Sequence, residues 1–406
     1  MTMRLSNLTI YSTGIGRLNS LQTQLNRTGE QIATGRKHLT AAEDPIAAAR
    51  ALEVSQAQSV NDQFQTNRQY ATSSLSQVES ILSSVTTVMQ DLQALVVAAG
   101  NAAYSNADRG SLVQEMRGKF DDLMGLANTS DGAGGFLFSG YKSTTQPFVR
   151  NTDGAQYVGA QGQRVLQVAS ARHIPITDSG DSIFEHNRTG NSTFETSAAA
   201  ANTGTGKYTL GSVTDTTLLT KQKYELNFTV AAGVTTYDVV NTSTGATLSS
   251  GNAYVDGQPI NFDGIQVAIS GAPANGDKFE LQPSQLQSVF STVRDLIDLV
   301  AAPISDATGT AKLKNGLLSA NANMSNALDN ILMVRSEIGS NLKELDYLDI
   351  SGSDLGLQYA RSLSDLQALD YNKALSELAQ QQFTLEAAQK SYKNVTSLSL
   401  FNFIQG

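Results

Sequence analysis

The histidines and the absence of cysteine limit the metal chemistry open to this chain. The 406 residues include three histidines, His38, His173 and His186, and no cysteine. No two histidines stand four residues apart, the spacing that would place both on one helix face as zinc ligands. Without cysteine there is no disulfide, no thiolate nucleophile and no cysteine-ligated metal. We therefore expect the histidines to be exposed or capping residues, with no bound metal or cofactor.

A glycine-rich segment at residues 203–207, Thr-Gly-Thr-Gly-Lys, has the composition of a phosphate-binding loop. That loop needs an earlier glycine and a serine or threonine directly after the lysine, to hold magnesium. Here residue 201 is alanine and residue 208 is tyrosine, so the pattern indicates a turn. Asp178 and Asp181 lie close in a run of Asp, Ser and Gly, which is also typical of turns. No catalytic motif stands out, and we expect that the chain is not an enzyme.

Composition and charge exclude further classes of protein. The net charge is −9 and the pI is near 4.9, whereas nucleic-acid binding needs clustered lysine and arginine. The first 30 residues contain no apolar block of the usual secretory signal type. No uninterrupted apolar run reaches the roughly 18–20 residues of a membrane helix. These features favour a cytoplasmic protein or one exported without a cleaved hydrophobic signal.

The elements at the two ends are predicted to be helices with narrow apolar seams. Near the start, apolar or small residues recur at alternating spacings of three and four, the period of a coiled coil: Tyr11, Gly14, Leu18, Leu21, Leu25, Thr28 and Ile32. Near the end, a similar series runs through Ala368, Tyr371, Leu375, Leu378, Gln382, Leu385, Gln389 and Tyr392, and the helix is expected to end near Leu398–Phe401. Neither helix can bury its seam alone, so each is expected to need a partner.

Longer helices are predicted inside these ends. Gly35 is a candidate helix cap, and Asp44 before Pro45 predicts the start of a second helix. Nine seam positions from Ala71 to Ala99 indicate a long coiled-coil-like helix, followed by a loop at 100–110 and a third helix. Helix is expected again from Pro283. A further seam runs from Leu317 to Leu348, and residues 351–354 are expected to interrupt it.

The middle of the chain has the pattern of β-structure. Alternating apolar residues predict strands near Tyr224–Val230 and Ile265–Ile269, and Asp263-Gly264 predicts a hairpin turn. Glycines around residues 136–138 predict a short strand between turns. The Ala-, Thr- and Gly-rich run 195–206 is expected to be a linker.

This layout predicts a mainly α fold with a β insertion. The terminal segments form an antiparallel, coiled-coil-like helical rod that carries a central β-rich domain. We expect terminal assembly segments at 1–45 and 354–406 and a long-helix rod domain at 46–150 and 283–353. The β-rich insertion is expected at 151–282, and a split of it into two parts near 190–206 stays open.

Several motifs resemble bacterial flagellar proteins. The segments 22–26 (Gln-Thr-Gln-Leu-Asn), 30–37 (Glu-Gln-Ile-Ala-Thr-Gly-Arg-Lys) and 42–45 (Ala-Glu-Asp-Pro) resemble the amino terminus of the flagellin-like family. The segments 135–140 (Gly-Phe-Leu-Phe-Ser-Gly), 144–148 and 179–184 resemble the hook–filament junction family, the third hook-associated proteins. The carboxyl end, 365–404, is similar too. The resemblance covers residues 1–150 and 283–406 and leaves 190–281 uncovered.

The resemblance implies a structural role in the bacterial flagellum, with no catalysis and no cofactor. Such proteins are exported unfolded by the flagellar type III apparatus to the extracellular flagellum. They form a ring of subunits between the first hook-associated protein and the flagellin filament. An export chaperone is a further implied partner, and neither nucleic-acid binding nor membrane insertion is expected.

The terminal seams are the candidate assembly site. We expect Leu18, Leu21, Leu25 and Ile32 to meet a second set of seam residues on the last helix, namely Leu375, Leu378, Leu385 and Tyr392. Two other functions stay open at this point. One is a flagellin-type subunit that forms the filament itself, and the other is an adhesin or glycan-binding module that uses the β insertion.

Overall fold

Helices open and close the chain around a β-rich middle, as the sequence predicts. The computed structural model describes residues 7–397, so the predicted helix end near Leu398–Phe401 lies outside the described residues. The described helices are α1 Asn7–Thr34, α2 Pro45–Ala99, α3 Asn106–Ala127, α4 Val289–Ala301, α5 Ala307–Gln367 and α6 Tyr371–Ser397.

The chain divides into two compact units. The terminal unit comprises residues 1–66 with 348–406, and the central unit comprises residues 67–347. Helices α2 and α5 are long enough to contribute to both units, with 55 and 61 residues respectively.

The predicted start of α2 follows from local chemistry. The Asp44 carboxylate accepts a hydrogen bond from the Ala47 N–H at 2.9 Å, which satisfies one of the free amides of the first helical turn. Pro45 then occupies the first helical position, where its missing N–H leaves no bond unmade. Gly35, at the end of α1, has φ +66°, the left-handed conformation that glycine adopts without strain.

The long seam of α2 forms one face of the core of the central unit. All nine predicted positions from Ala71 to Ala99 are buried, each at 3% exposure or less. Helix α5 supplies the facing layer: Gln93 donates to the Ser325 hydroxyl at 3.1 Å, and Arg335 pairs with Glu79 at 2.7 Å. The predicted heptad pattern of α2 is confirmed.

Aromatic residues join α3 and α4 to the segment that follows α3. The rings of Phe148 and Phe290 have centroids 4.9 Å apart, and Phe184 lies 5.4 Å from Phe148. Phe120 of α3 meets Phe290 of α4 at 6.1 Å in an edge-to-face arrangement. The cluster fixes the start of the β region on the helices.

The β region of the central unit is built from short strands. They are β1 Phe148–Asn151, β2 Gly154–Tyr157, β3 Val165–Ala169, β4 Arg172–Pro175, β5 Asn187–Arg188, β6 Phe194–Ala198, β7 Lys207–Tyr208, β8 Ser212–Val213, β9 Tyr224–Ala231, β10 Val234–Asn241, β11 Ala246–Ala253, β12 Pro259–Phe262, β13 Ile265–Ser270, β14 Lys278–Pro283 and β15 Leu286–Gln287.

Two sheets enclose the core of this region. A five-stranded antiparallel sheet has the order β11-β10-β9-β14-β6, and a second sheet has the order β12-β13-β7, with β8 also paired to β13. The inward residues of β9 and β13 alternate with outward ones, as predicted, and pack into one apolar cluster with Phe279 and Leu281 of β14.

The loop expected at 100–110 is shorter than predicted, because Ser105 and Asp108 form a capping box that starts α3 at Asn106. Four other local predictions are wrong, and each has a physical reason. Residues 136–138 form turns with an isolated bridge between Ser130 and Phe136, because they bury two apolar side chains without a continuous partner strand. The expected linker 195–206 begins as β6, whose Thr196 is 1% exposed and pairs with Leu281. Pairing with β14 thus overrides the linker-like composition.

The other two errors concern helix ends. Pro283 ends β14, and α4 starts after Ser288, whose hydroxyl accepts the Phe290 N–H at 3.2 Å. Residues 351–354 stay helical within α5, because the buried Gly352 carbonyl accepts a hydrogen bond from the Asn61 side chain at 2.9 Å. The break comes at residues 368–370, where Asp370 caps α6 by accepting the Lys373 N–H at 3.1 Å.

One helix resembles a membrane span in length and composition. Within the described residues this is α2, and 44% of its most apolar stretch is buried inside the protein.

Candidate assembly site in the terminal helices

Helices α1 and α6 lie antiparallel in the terminal unit. Tyr392, near the end of α6, packs on Gly14 near the start of α1. At the opposite end, the Tyr371 hydroxyl approaches Gly35, and the Leu369 N–H donates to the Gly35 carbonyl at 3.0 Å. These contacts at both ends fix the register of the pair.

The residues turned inward follow the same spacing on both helices. The α1 positions are Gly14, Leu18, Leu21, Leu25, Thr28 and Ile32, and the α6 positions are Ala374, Leu378, Gln381, Leu385, Ala388 and Tyr392, all of them buried or partly buried. Each series runs in steps of four, three, four, three and four residues, as a coiled coil requires. Counting from the contact between Gly14 and Tyr392 places Leu21 opposite Leu385 and Ile32 opposite Ala374.

The contact at Gly14 explains why this position lacks a side chain. A Cβ atom there would lie 2.6 Å from the Tyr392 ring, well inside van der Waals contact. Tyr11 adds an edge-to-face contact with Tyr392, with ring centroids 6.2 Å apart and an interplanar angle of 87°. Tyr392 is therefore the aromatic anchor of this end of the pair.

The predicted site residues fall into two groups. Seven of them occupy inward, partly buried positions: Leu18, Leu21, Leu25, Ile32, Leu378, Leu385 and Tyr392. Leu375 does not, because its side chain is 52% exposed and the neighbouring Ala374 takes the buried position at 4%. The sequence reasoning missed Ala374, Gln381 and Ala388, although strict four-three counting back from Tyr392 would have found them.

Several large apolar side chains are exposed on the outside of the terminal unit. On α6, Phe383 is 73% exposed, and Leu375 and Tyr371 are about half exposed; Ile15 on α1 is similar. Among the described residues of this unit, the only fully buried apolar side chains are two alanines, Ala51 and Ala374. The unit therefore lacks a large-residue core of its own.

Polar groups in the seam are few and incompletely satisfied. Thr28 is 5% exposed, and its hydroxyl donates a hydrogen bond to the Gln24 carbonyl at 3.1 Å. The buried amide oxygen of Gln381 has no hydrogen-bond partner within the described part of the chain. Such a group lowers the stability of the contact that buries it.

A second polar series, on α5 in the central unit, holds the β region in place. The Asn315 amide accepts the Tyr208 N–H at 3.2 Å and donates to the Gly206 carbonyl at 3.0 Å. Asn330 donates to the Ser182 carbonyl at 3.0 Å. Ser319, Asn323 and Asn326 also hydrogen-bond to the β region. The sequence reasoning missed this series, whose signal is a set of polar residues at helical spacing: Asn315, Ser319, Asn323, Asn326 and Asn330.

The glycine-rich loop at 203–207 already has an internal anion. The Asp277 carboxylate, 2% exposed, accepts the N–H groups of Thr203 at 2.8 Å, Gly204 at 3.0 Å and Ala274 at 2.9 Å. These amides are the kind of donors that would cradle a phosphate. The Asp277 carboxylate therefore already accepts the hydrogen bonds that a bound phosphate would need from this loop.

The two neighbouring aspartates also have separate partners. Gln163 donates to Asp178, and Gln161 donates to Asp181 at 2.9 Å. Burial raises the pKa of Asp178, and the hydrogen bond from Gln163 lowers it in part. Within residues 7–397, no group of three or more His, Asp or Glu side chains could hold a metal ion.

Comparison with known proteins identifies two flagellar regions in this chain. A family model described as the bacterial flagellin N-terminal helical region matches residues 5–143. A second, described as the D2-like domain of flagellar hook-associated protein 1, matches residues 197–283. The second match includes most of the segment that the sequence resemblance left uncovered.

Relatives of similar length match nearly the whole chain. Flagellar hook-associated protein 3 of Salmonella typhimurium is 30% identical over 401 residues, covering 98% of this chain and 99% of the relative. The Escherichia coli protein of the same name is 28% identical over 400 residues, with 98% and 99% coverage. The crystal structure of the flagellar junction protein FlgL from Legionella pneumophila, 30% identical, superposes with a TM-score of 0.71 over 79% of this chain and 100% of that one. This chain belongs to the flagellar hook-associated protein 3 family.

Proposed function

We propose that this chain is a structural, non-catalytic part of the extracellular bacterial flagellum that joins the hook to the flagellin filament. The observation that carries the proposal is the set of exposed apolar side chains on the terminal unit: among its described residues the only buried apolar side chains are alanines, while Phe383 and Leu375 face outward. Exposed apolar side chains concentrated on paired helices are typical of a surface covered by a partner.

The proposed site has an inner and an outer surface. The inner surface is the seam between α1 and α6, which includes Leu18, Leu25, Leu378 and Leu385. The outer surface comprises Leu375 and Phe383 of α6 with Ile15 of α1, all of them exposed. We assign the inner surface to closure of each subunit and the outer surface to contacts with neighbouring copies.

The family implies the partners of this site. We propose that copies of the chain form a ring between the first hook-associated protein and flagellin, after export with the help of a chaperone. Helices α1 and α6 lie within the predicted assembly segments, 1–45 and 354–406. We propose the helical segments 46–150 and 283–353 as the rod domain and 151–282 as the insertion.

Deleting the gene tests the proposal. The expected phenotype is a hook without a filament, with flagellin released to the medium, and full-length chain supplied from a plasmid should restore the filament. Complementation with Phe383→Ala or Leu375→Ala should restore export but not filament attachment. Normal filaments in the deletion strain would refute the junction role.

A filament subunit is the second candidate, because the match over residues 5–143 is to a flagellin region. Purified chain added to flagellin seeds distinguishes the two roles. A junction protein should cap or bind the seeds without elongating them. Growth of a long homopolymer would support the filament subunit instead.

A further inference from the structure

A surface cavity of about 470 Å³ lies where two loops of the central unit meet. One loop joins α2 to α3 at residues 100–105, and the other joins α4 to α5 at residues 302–306. The Asn106 side chain connects them, because it donates to the Ile304 carbonyl at 3.1 Å and accepts the Ile304 N–H at 3.0 Å. The starts of α3 and α5 therefore border the same cavity, and helix starts carry partial positive charge.

A buried arginine lines this cavity without a carboxylate partner. Arg109 is 7% exposed; its Nη1 donates to the Tyr104 carbonyl at 2.9 Å, and its Nη2 donates to the side-chain oxygen of Asn106. The Nε–H has no hydrogen-bond partner, and no carboxylate within residues 7–397 forms an ion pair with Arg109. Burying a charge without a paired counter-charge is costly, so an anion in the cavity would offset that cost.

The acidic residue next to Arg109 in the sequence serves the helix start instead. The Asp108 carboxylate accepts the Ser105 N–H at 2.9 Å and the Ser105 hydroxyl at 2.8 Å. These bonds lower the pKa of Asp108, and the nearby Arg109 lowers it by a smaller amount. Asp108 is thus the capping partner of α3 and makes no ion pair with Arg109.

Two further charged side chains line the cavity from the start of α5. Lys314 is exposed and forms no ion pair with any described carboxylate. Asp306 precedes α5 and accepts the Gly309 N–H at 2.6 Å, which caps that helix. The lining therefore carries two positive charges and one negative charge, on a chain whose net charge is −9.

We propose that this cavity binds a small oxyanion of the class of inorganic phosphate, with Arg109 and Lys314 supplying the positive charge. Arg109 is fixed by its bonds to Tyr104 and Asn106, so its charge is preorganised, whereas the exposed Lys314 can adjust its position to the ion. The bound ion strengthens the connection between the two loops. The site does not depend on the junction role, so each proposal can fail without the other.

Thermal unfolding of the purified full-length chain in inorganic phosphate tests the site, with ionic strength held constant by sodium chloride. A Kd of about 2 mM would make about 20 mM phosphate raise the melting temperature of the central unit by about 2 °C. Lys314→Gln should weaken binding about fivefold and reduce this shift to about 1 °C. Asp306→Asn should tighten binding about fivefold and increase the shift to about 4 °C, because asparagine keeps the cap and removes the repelling charge.

The matched control is Lys343→Gln, which removes the same charge from an exposed position of α5 that does not line the cavity. Its shift should equal that of wild type. Arg109→Gln should abolish the shift, but Arg109 also bonds to Tyr104 and Asn106, so the decisive variants are those at Lys314 and Asp306.

Hydrogen exchange with and without phosphate locates the binding. Exchange should become slower at residues 100–110 and 302–314 and stay unchanged in β9. An equal shift in wild type, Lys314→Gln and Asp306→Asn would reveal a general salt effect and overturn the proposal. The absence of any shift in wild type, or slower exchange spread over the whole central unit, would overturn it as well.

Discussion

Replacing Tyr392 with alanine should open the terminal helix pair. The Tyr392 ring packs on Gly14 and makes an edge-to-face contact with Tyr11 at 6.2 Å. Truncating a fully buried large aromatic residue costs about 3–5 kcal/mol, and Tyr392 is only partly buried, so about 2 kcal/mol is expected. This corresponds to a roughly thirtyfold rise in the fraction of open ends.

Hydrogen exchange measured by mass spectrometry reports this opening region by region. Peptides from α1 and α6 should exchange roughly thirtyfold faster in Tyr392→Ala, up to the rate of the unfolded peptide, while those from β9 should not change. Phe383→Ala is the matched control on the same helix. Because Phe383 is 73% exposed, its loss should leave exchange in the free chain almost unaltered.

The two variants should differ in a second assay as well. Phe383→Ala should fail to attach filaments although its terminal pair is intact, because its ring belongs to the outer surface. Equal exchange in Tyr392→Ala and wild type would refute the assignment of Tyr392 as the anchor. Strongly accelerated exchange in Phe383→Ala would show that the outer and inner surfaces are not separate.

Three further predictions concern the rest of the chain. Removing residues 1–32 should abolish filament attachment but leave the melting temperature of the central unit unchanged in calorimetry, since nearly all fully buried apolar residues lie within 67–347. A large fall in that melting temperature would show that the ends belong to the core of the central unit. Asp277→Ala should destabilise the central unit by about 3–4 kcal/mol in urea unfolding, because the amides of the 203–204 segment lose their acceptor, and a loss below about 1 kcal/mol would contradict this role. Asp178→Asn should stabilise the chain at neutral pH and have no such effect below the ordinary aspartate pKa of 3.8. Because burial raises the pKa of Asp178 in the folded state, the carboxyl group contributes stability at low pH that is lost as it ionises, and asparagine cannot ionise. A stability gain that does not depend on pH in unfolding titrations would contradict the assignment.

The helical part of the fold was predictable because its signals are periodic and long. Nine seam positions from Ala71 to Ala99 follow one register, so the helical pattern does not depend on any single residue. The cap at Asp44 and Pro45 was equally clear. The interruption expected at 351–354 failed because glycine and serine only lower helix propensity, and the bond from Asn61 to Gly352 is a tertiary contact that the sequence does not display.

The strand errors and the position of Leu375 have related causes. Short strands such as β6 and β15 are stabilised by pairing with segments distant in sequence, so their composition alone does not predict them. In the candidate site, Leu375 was predicted to lie in the seam because leucine is a common residue at buried coiled-coil positions. The buried position belongs to Ala374, because small residues allow α1 and α6 to approach closely. Assembly surfaces favour such errors, since their apolar residues face partners as well as the chain's own core.

Cross-linking from Phe383 in assembled flagella is the most direct test of the central claim that the outer surface of α6 contacts neighbouring subunits. The chain has no cysteine, so Phe383→Cys supplies a single attachment point for a thiol-linked photo-crosslinker, and Val234→Cys in β10 provides an exposed control in the insertion. We predict products with a second copy, the first hook-associated protein or flagellin from position 383 in flagella, and none in the free chain. Equal cross-linking in flagella and in the free chain, or cross-links from position 383 only within its own subunit, would contradict the account.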